Sequence, residues 1–154
     1  MKAPPALSLA GLSLAVQYAV DESRVPSRPV LRRWARRALQ RDCVVTLRIV
    51  GAAEARRLNR AFRGRDYATN VLTFIYADTP AAEGDIALCA PVITREAREQ
   101  GKPAEAHWAH LVVHGMLHLQ GWDHEGGAEA ETMEALETRI VTELGYSDPY
   151  RIAA

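Results

Sequence analysis

Apolar and polar residues alternate along Leu12–Val20 (Leu-Ser-Leu-Ala-Val-Gln-Tyr-Ala-Val), the two-residue period of a strand that buries one face. Past Pro26, Ser27 and Pro29, residues suited to a helix start, the period changes. Val30, Trp34 and Ala38 recur at i, i+4 and i+8 and predict a helix from about Val30 to Gln40, with Arg32, Arg33, Arg36 and Arg37 mostly off that stripe. Cys43–Val50 is β-branched and alternating and predicts a second strand, ended by Gly51. Alanine-rich Ala52–Phe62 reads as a helix, and Arg63-Gly64-Arg65-Asp66 as a polar turn. Thr69–Ala77 is the clearest strand pattern in the chain; Asp78–Gly84 reads as a loop and Asp85–Cys89 as a short further strand. From Pro91 the pattern is helical. One helix runs to about Gln100 and stops at Gly101, and a second starts near Pro103 and continues to about Leu119, with Gly121 as its terminator. A last helix spans about Ala128–Leu144, with Met133, Leu136, Ile140 and Leu144 on one stripe. The order β-α-β-α-β-β-α-α-α predicts one α+β domain over residues 1–154, a mixed four-stranded sheet packed with helices.

Bulk properties narrow the class without changing this outline. The 154 residues suit one domain, and 48% apolar with 25% charged residues is an ordinary soluble composition. Cys43 and Cys89 are the only cysteines and form no close pair, which argues against a disulfide framework and for a reducing cytoplasm. Leu7–Val20 is apolar enough to resemble a signal-peptide core, but Pro4-Pro5 precedes it and Ser8, Gly11, Ser13 and Gln17 interrupt it, so a strand is the reading taken. Beyond it no long uncharged run could cross a bilayer. The net charge of zero hides a split. Residues 1–70 carry 14 Lys/Arg against 5 Asp/Glu, or +9, and residues 71–154 carry 5 against 14, or −9. Either the basic half faces an anionic partner, or the two halves neutralise each other in the fold.

The chemistry concentrates near the end of the helix that stops at Leu119. His114, His118 and His124 stand in the string His-Gly-Met-Leu-His-Leu-Gln-Gly-Trp-Asp-His. Residues four apart on a helix lie about 40° apart around its axis and about 6 Å along it. His114 and His118 therefore point the same way, at a separation one metal ion can bridge, as on a zincin-like metal-binding helix. Gly121 lets the chain turn so that His124 can swing back. Three imidazoles and an open fourth position are the pattern of a catalytic zinc site; other late first-row ions also suit such nitrogens, and one Zn2+ per chain is the expected cofactor. Asp123 could fill the fourth place, or support the site from behind. His107 and His110 lie on nearly the same helical face and could line the cleft, donate a proton or contact a phosphate; they could equally be packing residues. Trp108 and Trp122 could pack in the core or stack on bases.

The histidine spacing is that of metzincin proteases, but Gly115 stands where those enzymes carry the glutamate that moves protons to and from the attacking water. Peptide hydrolysis by that route is disfavoured. Phosphodiester cleavage is a natural use of the same metal, since nearby guanidiniums can offset the growing negative charge.

At this point a family resemblance is specific. The run His114–His124 resembles the signature of the YbeY family of rRNA-maturation endoribonucleases. So do Leu58-Asn59, Phe62-Arg63-Gly64-Arg65-Asp66, Thr69-Asn70-Val71-Leu72-Thr73-Phe74, Gly84-Asp85-Ile86 and Glu105-Ala106-His107-Trp108-Ala109-His110, so that the likeness runs from about Leu12 to Tyr150. Ala68 departs from the usual proline and Thr73 from a serine. The resemblance implies a single-domain zinc protein with His114, His118 and His124 as ligands. It implies a cytoplasmic, single-strand-directed endoribonuclease acting in 16S rRNA 3′-end maturation and ribosome quality control. Its partners would be rRNA in the small ribosomal subunit and ribosome-assembly proteins, with no membrane involved. The family's functionally important arginine falls on Arg63, so Arg63 and His114 are the expected catalytic residues, with Arg63, Arg65, His107 and His110 as candidate substrate contacts. Arg32, Arg33, Arg36, Arg37 and Arg41 are either an RNA backbone contact or a solvated helix face. Two alternatives stay open: a ribosome-assembly factor whose metal is mainly structural, and a metallopeptidase.

Overall fold

A computed structural model describes residues 11–122 and 127–151 of the chain. Its strands are β1 (Leu12–Tyr18), β2 (Cys43–Val50), β3 (Val71–Ala77) and β4 (Ala82–Cys89). Its helices are α1 (Arg28–Arg37), α2 (Ala52–Arg63), α3 (Ala90–Glu99), α4 (Ala104–Leu119) and α5 (Gly127–Glu143). A single 3-10 turn, Glu22–Arg24, follows β1, capped by the Asp21 side chain on the Ser23 amide; the alternation pattern gave no sign of it. The sheet order is β1-β2-β4-β3, with β1, β2 and β4 parallel and the edge strand β3 antiparallel to β4. This is the mixed four-stranded α+β arrangement that the pattern predicts.

Among the boundaries that differ, one has a definite reason. β4 begins at Ala82, three residues before the expected Asp85, because Gly84 belongs to the strand. A Cβ at Gly84 would lie 2.0 Å from the Phe74 carbonyl oxygen and 2.6 Å from Leu119. Only glycine allows β3 and α4 to close on β4 here, and the β3–β4 register shifts between Ile75 and Ala77 at the same place. A glycine that permits close approach was read from sequence as a loop residue.

The main core lies between the sheet and the helices α1, α4 and α5. Leu31 and Trp34 of α1, Leu47 and Ile49 of β2, Ile86 and Leu88 of β4, Met116 and Leu117 of α4, and Met133 and Ile140 of α5 are buried there. Each such side chain stabilises the fold by about 1.5–3 kcal/mol through apolar burial. Trp108 joins them and is only 3% exposed, which takes it away from any stacking role, while Trp122 packs partly buried against the same cluster. α2 contributes to a smaller cluster with Val50, Ala55, Cys89 and Val92, and its Phe62 meets Phe74 of β3 edge-on at 5.1 Å. Both cysteines are buried free thiols with burial raising their pKa, Cys43 to about 11.

Candidate metal centre

The helix α4 passes through the protein interior. From His107 to Leu119 every residue is buried except His114 and His118, so the helix meets solvent over this stretch only at the two histidines one turn apart. Its other sides are covered by the sheet and by α1, α3 and α5. The close seating on the sheet depends on Gly115. A Cβ there would meet Ile86 Cγ2 at 2.9 Å, Ile86 Cδ1 at 3.3 Å and Val71 Cγ2 at 3.5 Å. The glycine therefore points at β4 and β3, and a glutamate at this position would be driven into packed side chains. The missing protease base is thus a feature of the packing as well as of the chemistry.

The helix ends through Gly121, whose φ of 100° is left-handed. The Gly121 amide donates to the His118 carbonyl at 3.0 Å and the Trp122 amide to the Leu117 carbonyl at 3.0 Å, so the chain turns sharply just past His118. Asp123 and His124 lie outside the described residues.

Behind His114 is a buried acid. Glu137, on α5, is 0% exposed, and its Oε1 accepts a hydrogen bond from His114 Nδ1. Its Oε2 accepts one from the Tyr150 hydroxyl. His110 Nε2 lies 3.3 Å from that hydroxyl and 3.7 Å from Glu137 Oε1. Burial alone would raise the Glu137 pKa, but His110, His114 and Tyr150 together outweigh it and hold the carboxyl down at about 2. Tyr150 is pushed the other way, its pKa raised by burial and by the Glu137 carboxylate.

His107, the next histidine toward the start of α4, is paired differently. Its Nε2 contacts Glu96 Oε1 at 2.9 Å, and the same oxygen accepts from Asn70 Nδ2 at 3.0 Å. His107 is buried, its Nδ1 has no hydrogen-bond partner, and burial lowers its pKa. Arg63 is the last residue of α2, exposed, followed by Gly64 with φ 69°. Arg65 is exposed too, with Nη1 3.4 Å from the Tyr67 hydroxyl. Neighbouring Arg56 is committed to a bidentate pair with Asp66 at 2.7 and 2.9 Å.

Glu137 and Tyr150 were missed by sequence reasoning. One signal was available. The buried stripe of α5 is Met133, Glu137, Ile140 and Val141, so an acid falls among apolar positions where it needs a partner. Leu136, which the sequence places on the stripe, is only half-buried beside it. Tyr150 lies past the last helix and had no periodic context to mark it.

A metal ion fits this chemistry. His110, His114 and Glu137 each place one ligand atom within 4.8 Å of the others, a group that could hold an ion. With Nδ1 of His114 on a carboxylate, its Nε2 is the nitrogen suited to a metal, and His118 stands one turn on. The mixed sheet and this interior helix define an α+β protein with a candidate histidine metal centre. Comparison with known proteins gives the family. The family model described as Endoribonuclease YbeY matches residues 19–145. The Endoribonuclease YbeY of Aromatoleum aromaticum is 58% identical over 142 residues, covering 90% of this chain and 92% of its own. That of Verminephrobacter eiseniae is 53% identical over 150 residues, covering 94% and 97%. A Thermotoga maritima protein solved in solution matches the fold with a TM-score of 0.55 at 28% identity, over 90% of this chain and 99% of that one. The chain belongs to the Endoribonuclease YbeY family.

Proposed function

We propose that this protein is a single-strand-directed, zinc-dependent endoribonuclease acting in 16S rRNA 3′-end maturation and ribosome quality control. The observation that carries the reading is the opening of an otherwise buried helix at His114 and His118, with a buried carboxylate behind the first. Relatives named Endoribonuclease YbeY, 53–58% identical over most of the chain, supply the reaction class.

The ligands in this reading are His114, His118 and His124. When bound, zinc supplies Lewis-acid chemistry at a phosphoryl oxygen. The chain's own residues do the rest. Glu137 orients His114. Arg63, exposed and without an ion pair to the described residues, offers a guanidinium to a phosphate, with Arg65 two residues on. The excess of 14 Lys/Arg over 5 Asp/Glu in residues 1–70 draws a polyanion to this half. Gly115, pressed against Ile86, disfavours the glutamate-assisted peptidase route. The partners are rRNA in the small ribosomal subunit and assembly proteins bound there, in the cytoplasm; the two unpaired buried thiols accord with a reducing compartment. No helix among the described residues is long and apolar enough to cross a membrane.

The test is cleavage of a single-stranded RNA carrying the 16S 3′ end. Wild type cuts, chelation stops it and added zinc restores it, and Arg63→Ala slows it by about 10²-fold through lost charge stabilisation. Cutting that ignores both the chelator and Arg63→Ala contradicts the proposal.

A further inference from the structure

The contacts around Glu137 form a chain with one direction. The Tyr150 hydroxyl carries the proton in its contact with the acid, so it donates to Oε2 of the Glu137 carboxylate. Tyr150 can then accept from His110 Nε2–H, at 3.3 Å. On the other side of the acid, His114 must donate from Nδ1 to Oε1. A neutral imidazole carries one N–H, so a proton on Nδ1 leaves a lone pair on Nε2.

We propose that Glu137, itself fixed by Tyr150, is the positioning residue that locks His114 in the Nδ1–H tautomer and presents Nε2 to the metal. The inference rests on the metal reading above and adds two residues to it. Position favours this role over direct ligation by Glu137. The acid is fully buried beneath the partly exposed His114, and its two oxygens are already occupied by His114 and Tyr150. The Tyr150 contact is built, not incidental. The Tyr150 amide donates to Asp148 Oδ1 at 2.9 Å, the Thr138 hydroxyl donates to the same oxygen at 3.2 Å, and Lys102 Nζ reaches the Pro149 carbonyl at 3.5 Å. These bonds strap the segment after α5 across the end of the network. Tyr150 lies beyond residues 19–145, so this strap is outside the stretch that the family model matches.

The experiment compares zinc affinity, by chelator competition, in full-length wild type, Glu137→Gln and Tyr150→Phe, with nitrogen NMR of the His114 ring in the zinc-loaded wild type. Glutamine keeps the size and an acceptor oxygen but loses the charge. The expected result is zinc binding weakened by about 10- to 100-fold in Glu137→Gln and by a few-fold in Tyr150→Phe, with Nε2 of His114 as the coordinating nitrogen. Glu137→Gln binding zinc as wild type does overturns the inference alone. Coordination through Nδ1 overturns it too, and needs no variant to fold. A wild type that binds no zinc sinks the metal reading itself, and the inference with it.

Discussion

Two carboxylate–histidine pairs sit seven residues apart on the same helix, and they differ in which nitrogen they use. His107 gives Nε2 to Glu96 and keeps Nδ1 in the interior without a partner. His114 gives Nδ1 to Glu137, which turns its Nε2 away from the acid. The His107 side chain is 4% exposed and that of His114 is 19%. The same residue pair is therefore a structural hydrogen bond in one place and, in the proposed metal site, the support of a ligand in the other. Burial and ring orientation decide this, and neither can be read from the residue types.

The difference is sharpest in metal binding. His114→Ala removes a ligand and should weaken zinc by at least about 10²-fold, while His107→Ala should stay within about threefold, measured by chelator competition. Comparable losses in the two variants break the distinction. Next in size is Gly115→Glu, the change that would restore a protease motif. Its Cβ would stand 2.9 Å from Ile86, so overpacking and a buried charge should cost about 3–5 kcal/mol, read as a lower urea midpoint. A variant as stable as wild type would show that α4 is less tightly seated than the contacts imply.

Stability should separate the histidines less than metal binding does. His107→Ala opens a cavity against Glu96 and should cost about 2–3 kcal/mol, and His114→Ala, which leaves the buried Glu137 carboxylate one donor short, should cost a similar amount in zinc-free protein, each read as a lower urea midpoint. The smallest effect is on pH. Burial lowers the His107 pKa from its ordinary 6.5, so the unfolded chain takes up that proton before the folded one does. The protonation of His107 contributes nothing to stability well above pH 6.5, and it destabilises the fold as pH falls below that value. The drop in urea midpoint between pH 7 and pH 5 should shrink in a His107→Gln variant; an unchanged drop means His107 is protonated as easily folded as unfolded.

Much of this architecture was legible because it is local. Alternation over Leu12–Tyr18 and Cys43–Val50, and the helical period through α1 and α4, placed the elements in order. The spacing of His114 and His118 put both on one side of a helix, and they are the two partly exposed positions of its inner stretch. What was hidden depends on contacts between distant segments. Glu137 is 23 residues from His114 in sequence, and only the packing of α5 on α4 joins them. Tyr150 reaches the same acid from beyond the helix. Gly84 and Gly115 carried a second meaning that sequence could not show: each is where another element comes too close for a side chain. His124, the third expected ligand, lies outside the described residues.

The central claim is that a metal-dependent ribonuclease works at the His114 opening of α4. Its most direct test is cleavage of a single-stranded 16S 3′-end RNA by zinc-loaded wild type, His107→Ala and His114→Ala side by side. The account predicts cutting by the first two and a loss of at least about 10²-fold in the third. Equal cutting by His114→Ala would contradict it.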